Sequence, residues 1–208
     1  MKDKTKIYDL ILPNKGINIF IYFILIFGIL SGSIFLIISS ETDKNSVITQ
    51  IENFFLNISN NNINSGLALK NSLIINYIFI VSIFILGFSM IGIIFGIFLL
   101  YIKGFLFGFS LASIFLTYKY KGILAGIIYA FPSQILNLLL VILITIYSIM
   151  FTKHLFKIIT SKKSLNNRIM LKKYLIIFLF CIVLTFLSSL LEVYLFPRLL
   201  KLVISFYV

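Results

Sequence analysis

One long apolar stretch constrains the fold of this chain more than any other feature. Residues 71–117 form a run of 47 residues with a single charged side chain, Lys103. A helix needs about 20 apolar residues to cross about 30 Å of hydrocarbon, so this run is long enough to cross a membrane twice. We therefore predict two membrane-spanning helices here, with the chain turning at Lys103.

The composition of the whole chain agrees with a membrane protein. Of 208 residues, 61% are hydrophobic and only 12% are charged, and the mean hydropathy is +1.12, values outside those of ordinary soluble domains. Neither of the two longest less apolar stretches, residues 39–70 and 153–173, is long enough to bury a core of its own. The prediction is one all-α integral membrane domain, residues 1–208, with about five transmembrane helices at 17–38, 71–102, 104–118, 123–151 and 174–196.

The position of Lys103 decides where the second and third spans divide. A division between Gly87 and Gly92 would leave Lys103 at membrane depth, which costs about 2.5 to 3.5 kcal/mol on insertion scales. We therefore prefer the division at Lys103. Gly87 and Gly92 are then expected to kink one long helix, because glycine weakens a helix locally by about 1 kcal/mol.

The first loop, residues 39–70, contains an amphipathic segment. Its apolar residues recur at helical spacing between polar ones: Val47, Ile48, Ile51, Phe54, Phe55 and Ile58. This pattern predicts a helix that lies along the outer membrane interface.

The net charge of +12 is distributed as a topology signal, without the stripe of basic and aromatic residues that binds nucleic acid. By the positive-inside rule, the N-terminus and the loop 153–173 are cytoplasmic, and the loop 39–70 and the C-terminus are outside. The first apolar run, 17–38, is too long for the apolar part of a signal peptide, so we expect a retained helix. The basic residues are Lys2, Lys4, Lys6 and Lys15 before it, and Lys153, Lys157, Lys162, Lys163, Arg168, Lys172 and Lys173 in the later loop.

Residues that could support catalysis or bind a metal are sparse. His154 is the only histidine and Cys181 the only cysteine, which is too few ligands for a zinc site. No base is visibly arranged for serines such as Ser188, and the chain lacks the G-x-x-x-x-G-K-[ST] phosphate loop. We expect no enzyme activity, no catalytic residue, no metal and no cofactor.

Glu192 is the main candidate site residue, because ionisable groups inside apolar membrane helices are rare and usually have a function. Its expected partners are Lys103, Arg198 or polar groups on neighbouring helices. A structural anchor between helices is the favoured role, and a proton or ligand site is the alternative. The polar residues that follow Pro132 are expected to satisfy the carbonyl that the proline frees; they are Ser133, Gln134 and Asn137.

Glycines four residues apart recur along the chain. Such pairs lie on one helix face and let a neighbouring backbone approach closely. Packing within the chain is the favoured interpretation, and contact with partner subunits is the alternative. The pairs are Gly28 and Gly32, Gly92 and Gly96, Gly104 and Gly108, and Gly122 and Gly126.

The order of these landmarks resembles the stage II sporulation protein M family over nearly the whole chain. The resemblance implies a non-enzymatic membrane scaffold that localises septal peptidoglycan-degrading partners, stage II sporulation proteins D and P, during forespore engulfment. It places the chain in the mother-cell septal or engulfing membrane. The landmarks are Gly28 and Gly32, Leu69-Lys70, Gly87 and Gly92, Lys103-Gly104, Gly108-Phe109, Lys121-Gly122, Phe131-Pro132, and Glu192 with Pro197.

The resemblance implies docking surfaces, formed by the loop 39–70 and the glycine-paired faces. The expected partners are the lipid bilayer and the two sporulation proteins, with no nucleic acid and no small-molecule substrate. More distant relatives often carry P-H-G-x-x-E in the fourth span. The corresponding Pro132-Ser133-Gln134-Ile135-Leu136-Asn137 keeps only the proline, so no metal or catalytic role carries over.

Two other function classes are alternatives for a chain of this composition. A small transport subunit, permease or channel, would use Glu192 as a midplane site, but charges are few and no inverted repeat is visible. An intramembrane protease lacks the nucleophile and base, or the metal ligands, that it would need.

Overall fold

The computed structural model describes residues 15–161 and 167–204, and over these ranges the chain forms only helices and turns. The predicted all-α class is confirmed. A 3-10 turn, Lys119–Lys121, and two π-helical segments, Ala130–Gln134 and Leu191–Leu195, connect neighbouring helices. The helices are α1 (Lys15–Ile38), α2 (Glu41–Ser59), α3 (Ser65–Leu86), α4 (Gly92–Tyr118), α5 (Gly122–Tyr129), α6 (Ile135–Ser161), α7 (Asn167–Leu190) and α8 (Phe196–Ile204).

Long apolar helices make this chain a multi-pass membrane protein. The longest apolar stretch, Gly92–Thr160, folds back on itself, because Gly122 at the start of α5 packs against the backbone of Ile114 in α4. One stretch therefore has room for two crossings, which is compatible with the predicted five. In the described part of the chain, the stretches long and apolar enough to cross are Lys15–Ile38, Ser65–Leu86, Gly92–Thr160 and Arg168–Leu202.

The chain turns at residues 87–91, so the predicted turn at Lys103 is wrong. Lys103 lies in the middle of α4 and is only 7% exposed. The spans predicted at 71–102 and 104–118 are α3 and α4, with Gly87 and Gly92 on either side of a turn rather than at kinks in one helix. The insertion cost that favoured Lys103 as the turn applies to a lysine without partners, and this lysine has them, as described below.

Side chains from α6 and α7 hold the end of α3. The Thr152 hydroxyl donates to the carbonyl of Gly87, and the Tyr174 hydroxyl donates to the carbonyl of Phe84 at 2.9 Å. The last carbonyls of a helix have no partner within the helix, and these hydroxyls supply one. A Cβ at Gly87 would collide with the Tyr174 hydroxyl, so any larger residue here would have to displace that hydroxyl from the end of α3.

Replacing Thr152 with valine should lower the free energy of unfolding by about 1 kcal/mol. Valine has nearly the shape of threonine but no hydroxyl, so the buried carbonyl of Gly87 loses its donor. Thr160→Val is the matched control. Thr160 is exposed and bonds only carbonyls of its own helix. Denaturant unfolding in one detergent measures both variants. Equal stability of the two variants would contradict the role assigned to Thr152.

Paired glycines bring α1 and α4 into backbone contact. A Cβ at Gly28 would lie 2.5 Å from the carbonyl oxygen of Tyr101, and a Cβ at Gly104 would lie 2.8 Å from that of Leu25. The Ser33 hydroxyl donates to the carbonyl of Gly108 at 3.1 Å. Packing within the chain, the favoured interpretation, is confirmed at this contact. The contacts advance along both helices in the same direction, so α1 and α4 are parallel.

An amphipathic helix, α2, forms where it was predicted. The Ser40 hydroxyl accepts a hydrogen bond from the backbone N–H of Asp43 at 3.2 Å, which is the usual cap of a helix start. Phe55 and Ile58 are buried against residues of α4, α5 and α8. Its place at a membrane interface stays a prediction.

The two ends of the helix bundle differ in their acidic residues, since all the described ones, Glu41, Asp43, Glu52 and Glu192, lie towards one end. At the end we call the basic end, the start of α1 lies beside the end of α6, since Gly16 and Lys153 line the same cavity. At the other end, the α2 end, Lys201 of α8 bonds Asn61 just after α2. Lys2, Lys4, Lys6, Lys162 and Lys163 fall outside the described residues. The described basic residues of the basic end are Lys15, Lys153, Lys157, Arg168, Lys172 and Lys173.

Candidate functional site

Two interruptions in the helices bring polar side chains together towards the α2 end. In Ala130–Gln134, Phe131 has an extended backbone with φ −112° and ψ 136°, as expected for a residue before proline. Leu191–Leu195 is a π-helical segment, a feature that is frequent at functional sites. The two segments pack against each other.

Both carboxylate oxygens of Glu192 accept hydrogen bonds across this contact. The Gln134 side-chain amide donates to Oε1 at 2.9 Å, and the Ser72 hydroxyl donates to Oε2 at 2.7 Å. Glu192 therefore ties together the two interruptions and α3. Arg198, one of its predicted partners, is exposed, and within residues 15–161 and 167–204 Glu192 forms no ion pair.

Lys103 is connected to Glu192 through two side chains of α3. Its ammonium donates to Asn76 Oδ1 at 2.7 Å and lies 5.0 Å from the centre of the Phe79 ring. The Asn76 amide donates to the Ser72 hydroxyl at 3.3 Å, and that hydroxyl donates to Glu192. We call the four residues Lys103, Asn76, Ser72 and Glu192 the polar chain. These bonds and the ring stabilise a lysine inside the bundle.

The polar chain runs from the middle of the bundle towards the α2 end. Asn76 is at the midpoint of α3, about 16 Å from each end at 1.5 Å per residue. Ser72 is one helical turn closer to the α2 end. Lys103 is therefore the deepest member of the polar chain, and Glu192 lies nearer the surface.

A cavity of about 270 Å³ lies beside Glu192, near the lower end of the sizes typical of small-ligand sites. Three predicted site residues from distant parts of the sequence, Phe54, Glu192 and Pro197, line it together. Its other polar lining comes from Asn71, Ser72, Ser133 and Gln134, and its other apolar lining comes from Ile63, Ala68, Ile75, Tyr129, Val193 and Phe196.

Two of the three polar residues after Pro132, Gln134 and Asn137, do not have the role predicted for them. Gln134 donates to Glu192, and the backbone carbonyl of Ser133 accepts from the Ser188 hydroxyl at 2.9 Å. Asn137 is buried, and neither of its amide atoms has a partner among the described residues. The prediction that Gln134 and Asn137 satisfy the carbonyl freed by the proline is wrong.

The remaining predicted positions lie outside the cavity. Ile51 and Phe55 hold α2 on the bundle, and Gly104 and Gly108 serve the contact between α1 and α4. Cys181 is buried. The part of the chain that the structure describes contains no group of three or more His, Cys, Asp or Glu side chains placed to hold a metal. The expectation of no metal and no catalytic residue stays a prediction.

The comparison with family models matches the Stage II sporulation protein M model to residues 19–197. The chain belongs to the stage II sporulation protein M family. Searches of curated proteins and of solved structures returned no significant match. Because the match extends from α1 to Pro197, the polar chain and the cavity of this family member lie inside the matched region. Membership indicates a sporulation-related membrane protein.

Sequence reasoning about this stage II sporulation protein M family member found the two ends of the polar chain but not its middle. Lys103 and Glu192 can be recognised in the sequence as charged residues within apolar segments. Asn76 had a usable signal, since it is an amide side chain in the middle of an apolar span. Ser72 had none, because a single serine is common in membrane helices.

Proposed function

We propose that this chain is a non-enzymatic membrane scaffold that anchors septal peptidoglycan-degrading proteins during forespore engulfment, with stage II sporulation proteins D and P as partners. The single observation that carries the proposal is the family match over residues 19–197. The long apolar helices support a role exercised within the membrane.

The exposed face of α2 is the surface proposed for docking. Its other face, with Phe55 and Ile58, holds it on the bundle. The outward side carries Glu52, Asn53 and Leu56, and Leu56 is 57% exposed. The glycine faces of α1 and α4 are used within the chain, which leaves α2 as the stronger of the two docking surfaces that the sequence suggested.

The distribution of basic residues along the sequence supports an orientation, because eleven of the eighteen precede the first span or lie in residues 153–173, and six lie in the segments of the α2 end. By the positive-inside rule, the basic end is cytoplasmic, and the α2 end and the C-terminus are outside. In the mother-cell membrane, α2 would then face the septal peptidoglycan, where degrading enzymes work. The transport alternative gains no support from the comparisons.

A pull-down from sporulating cells tests the scaffold. Asn53→Arg combined with Leu56→Arg places two charges on the exposed face of α2, and should reduce recovery of a peptidoglycan hydrolase about tenfold if this face carries docking energy. Tyr120→Arg is the matched control, because Tyr120 is 90% exposed, at the same end of the bundle but outside α2.

Equal recovery by the α2 variant and the control, at equal amounts in the membrane, would remove α2 from the proposal. Repeated failure of the wild-type chain to recover any peptidoglycan hydrolase would overturn the proposal itself.

A further inference from the structure

Three aromatic rings beside Glu192 have no part in the scaffold proposal. Phe54, Tyr129 and Phe196 all line the cavity. Phe54 stacks on Phe196 with ring centres 6.3 Å apart, and Tyr129 meets Phe196 edge to face at 6.0 Å. The rings therefore hold one another in place around the space next to the carboxylate.

Glu192 has acceptor capacity left in this cavity. A carboxylate can accept about four hydrogen bonds, and the structure shows one on each oxygen, from Gln134 and Ser72. Lys103 does not line the cavity, and its charge is separated from Glu192 by the Asn76 and Ser72 side chains. A cation entering the cavity would meet a carboxylate without a direct counter-ion.

We propose that this cavity binds the ammonium group of a phospholipid with an ethanolamine headgroup. Aromatic faces attract organic cations, most strongly where water is excluded. A carboxylate adds charge-assisted hydrogen bonds from the N–H groups of a primary ammonium. Rings and a carboxylate around one small space combine both kinds of recognition.

The depth and surroundings of the cavity favour a lipid as the source of the ammonium group. Its lining includes Ile75, an apolar residue of the predicted membrane span that is 52% exposed. Asn71, which also lines the cavity, is exposed about one helical turn closer to the α2 end than Ile75, so the cavity is open at the side of the bundle. A lipid headgroup at this level would have Glu192 for its ammonium.

Native mass spectrometry of the purified full chain tests the site. The probes are phosphatidylethanolamine and its N-acetylated form, which has the same acyl chains but no ammonium. The wild-type chain should bind the first lipid about 10-fold or more tightly than the second, the effect expected for a charge-assisted hydrogen bond. Glu192→Gln should abolish this preference. The amide oxygen can still accept from Ser72, and the amide NH2 can donate to Gln134 once the Gln134 side chain turns its oxygen towards it, so we expect the fold to be retained.

Two further variants complete the test. Glu52→Gln, an exposed acidic position on α2, should leave the preference unchanged. Phe54→Leu alters an exposed ring and should weaken binding of phosphatidylethanolamine several-fold, roughly as expected for losing one cation–π contact, which keeps the test decisive if Glu192→Gln unfolds.

Equal binding of the two lipids by the wild-type chain, or an intact preference in Glu192→Gln, would overturn the proposal. Displacement of the lipid by an equal concentration of free ethanolamine or of a lysine-containing peptide would overturn its assignment to lipid. That second result would favour a soluble amine or a partner's side chain.

Discussion

Alanine at Gly32 or at Gly108 is expected to destabilise the protein by about 3 kcal/mol, at the upper end of the usual cost of overpacking. A Cβ at Gly32 would collide with the backbone carbonyl of Phe105, and one at Gly108 would collide with that of Ile29. A backbone cannot move aside as a flexible side chain can, so α1 and α4 must separate. The free energy of unfolding in mixed micelles measures the effect.

Gly96→Ala is the control for this prediction, because it lies in the same helix as Gly108. A Cβ there would meet only a side-chain atom of Ile83, at 3.9 Å. We expect this variant to be neutral or more stable by up to about 1 kcal/mol, since alanine favours helix over glycine. Similar losses in all three variants would mean that general helix effects, and not the backbone contact, decide the outcome.

Glu192→Leu is expected to destabilise the protein by about 3 kcal/mol, because the half-buried carboxylate accepts two hydrogen bonds and each bond to a charged group contributes about 1.5 to 3 kcal/mol. The change leaves Gln134 and Ser72 without their acceptor and Lys103 without the negative charge at the other end of the polar chain. Glu192→Gln should cost much less, about 1 kcal/mol, because the amide oxygen still accepts one bond and the amide NH2 can donate to a reoriented Gln134.

A double-mutant cycle tests whether the polar chain acts as a unit. Lys103→Met removes the other charge and keeps the length of the side chain. We expect the double variant to lose about 1 to 2 kcal/mol less than the sum of the single variants, since residues of one network are coupled. Additive losses would show that Lys103 and Glu192 stabilise the fold independently. The measurement is denaturant unfolding of the four proteins in the same micelle.

Much of the fold was predictable from local patterns. The first span at 17–38 is nearly identical to α1, and the periodicity of residues 47–58 located α2 within the first loop. Long apolar runs and a 3.6-residue period depend on neighbours along the chain, so they can be recognised without the tertiary structure.

The boundary between α3 and α4 shows where local reasoning fails. The insertion cost of Lys103 is the cost of a lysine in lipid, and the sequence alone does not show that Asn76 and Phe79 lie beside it. Nor does the sequence show that Thr152 and Tyr174 supply donors to the end of α3, which makes a turn at residues 87–91 favourable. The wrong boundary therefore comes from contacts between residues far apart in sequence.

The candidate site divides in the same way. Glu192, Phe54 and Pro197 could each be selected from the sequence, by charge in an apolar run, by helical period and by family landmark. That they line one cavity depends on the packing of Ala130–Gln134 against Leu191–Leu195. The sequence predicts a backbone carbonyl of its own helix as the partner of Gln134, because that carbonyl is the only partner that can be recognised locally.

The sequence by itself determined that this chain is an all-helical, multi-pass membrane protein, because apolar length and helical period follow from the order of residues alone. It also carried the family landmarks. Only the tertiary structure decided where α3 ends, which glycines form the contact between α1 and α4, and how Lys103 is linked to Glu192. A buried polar group is stabilised by partners brought together in space, and those partners come from helices that are far apart along the chain.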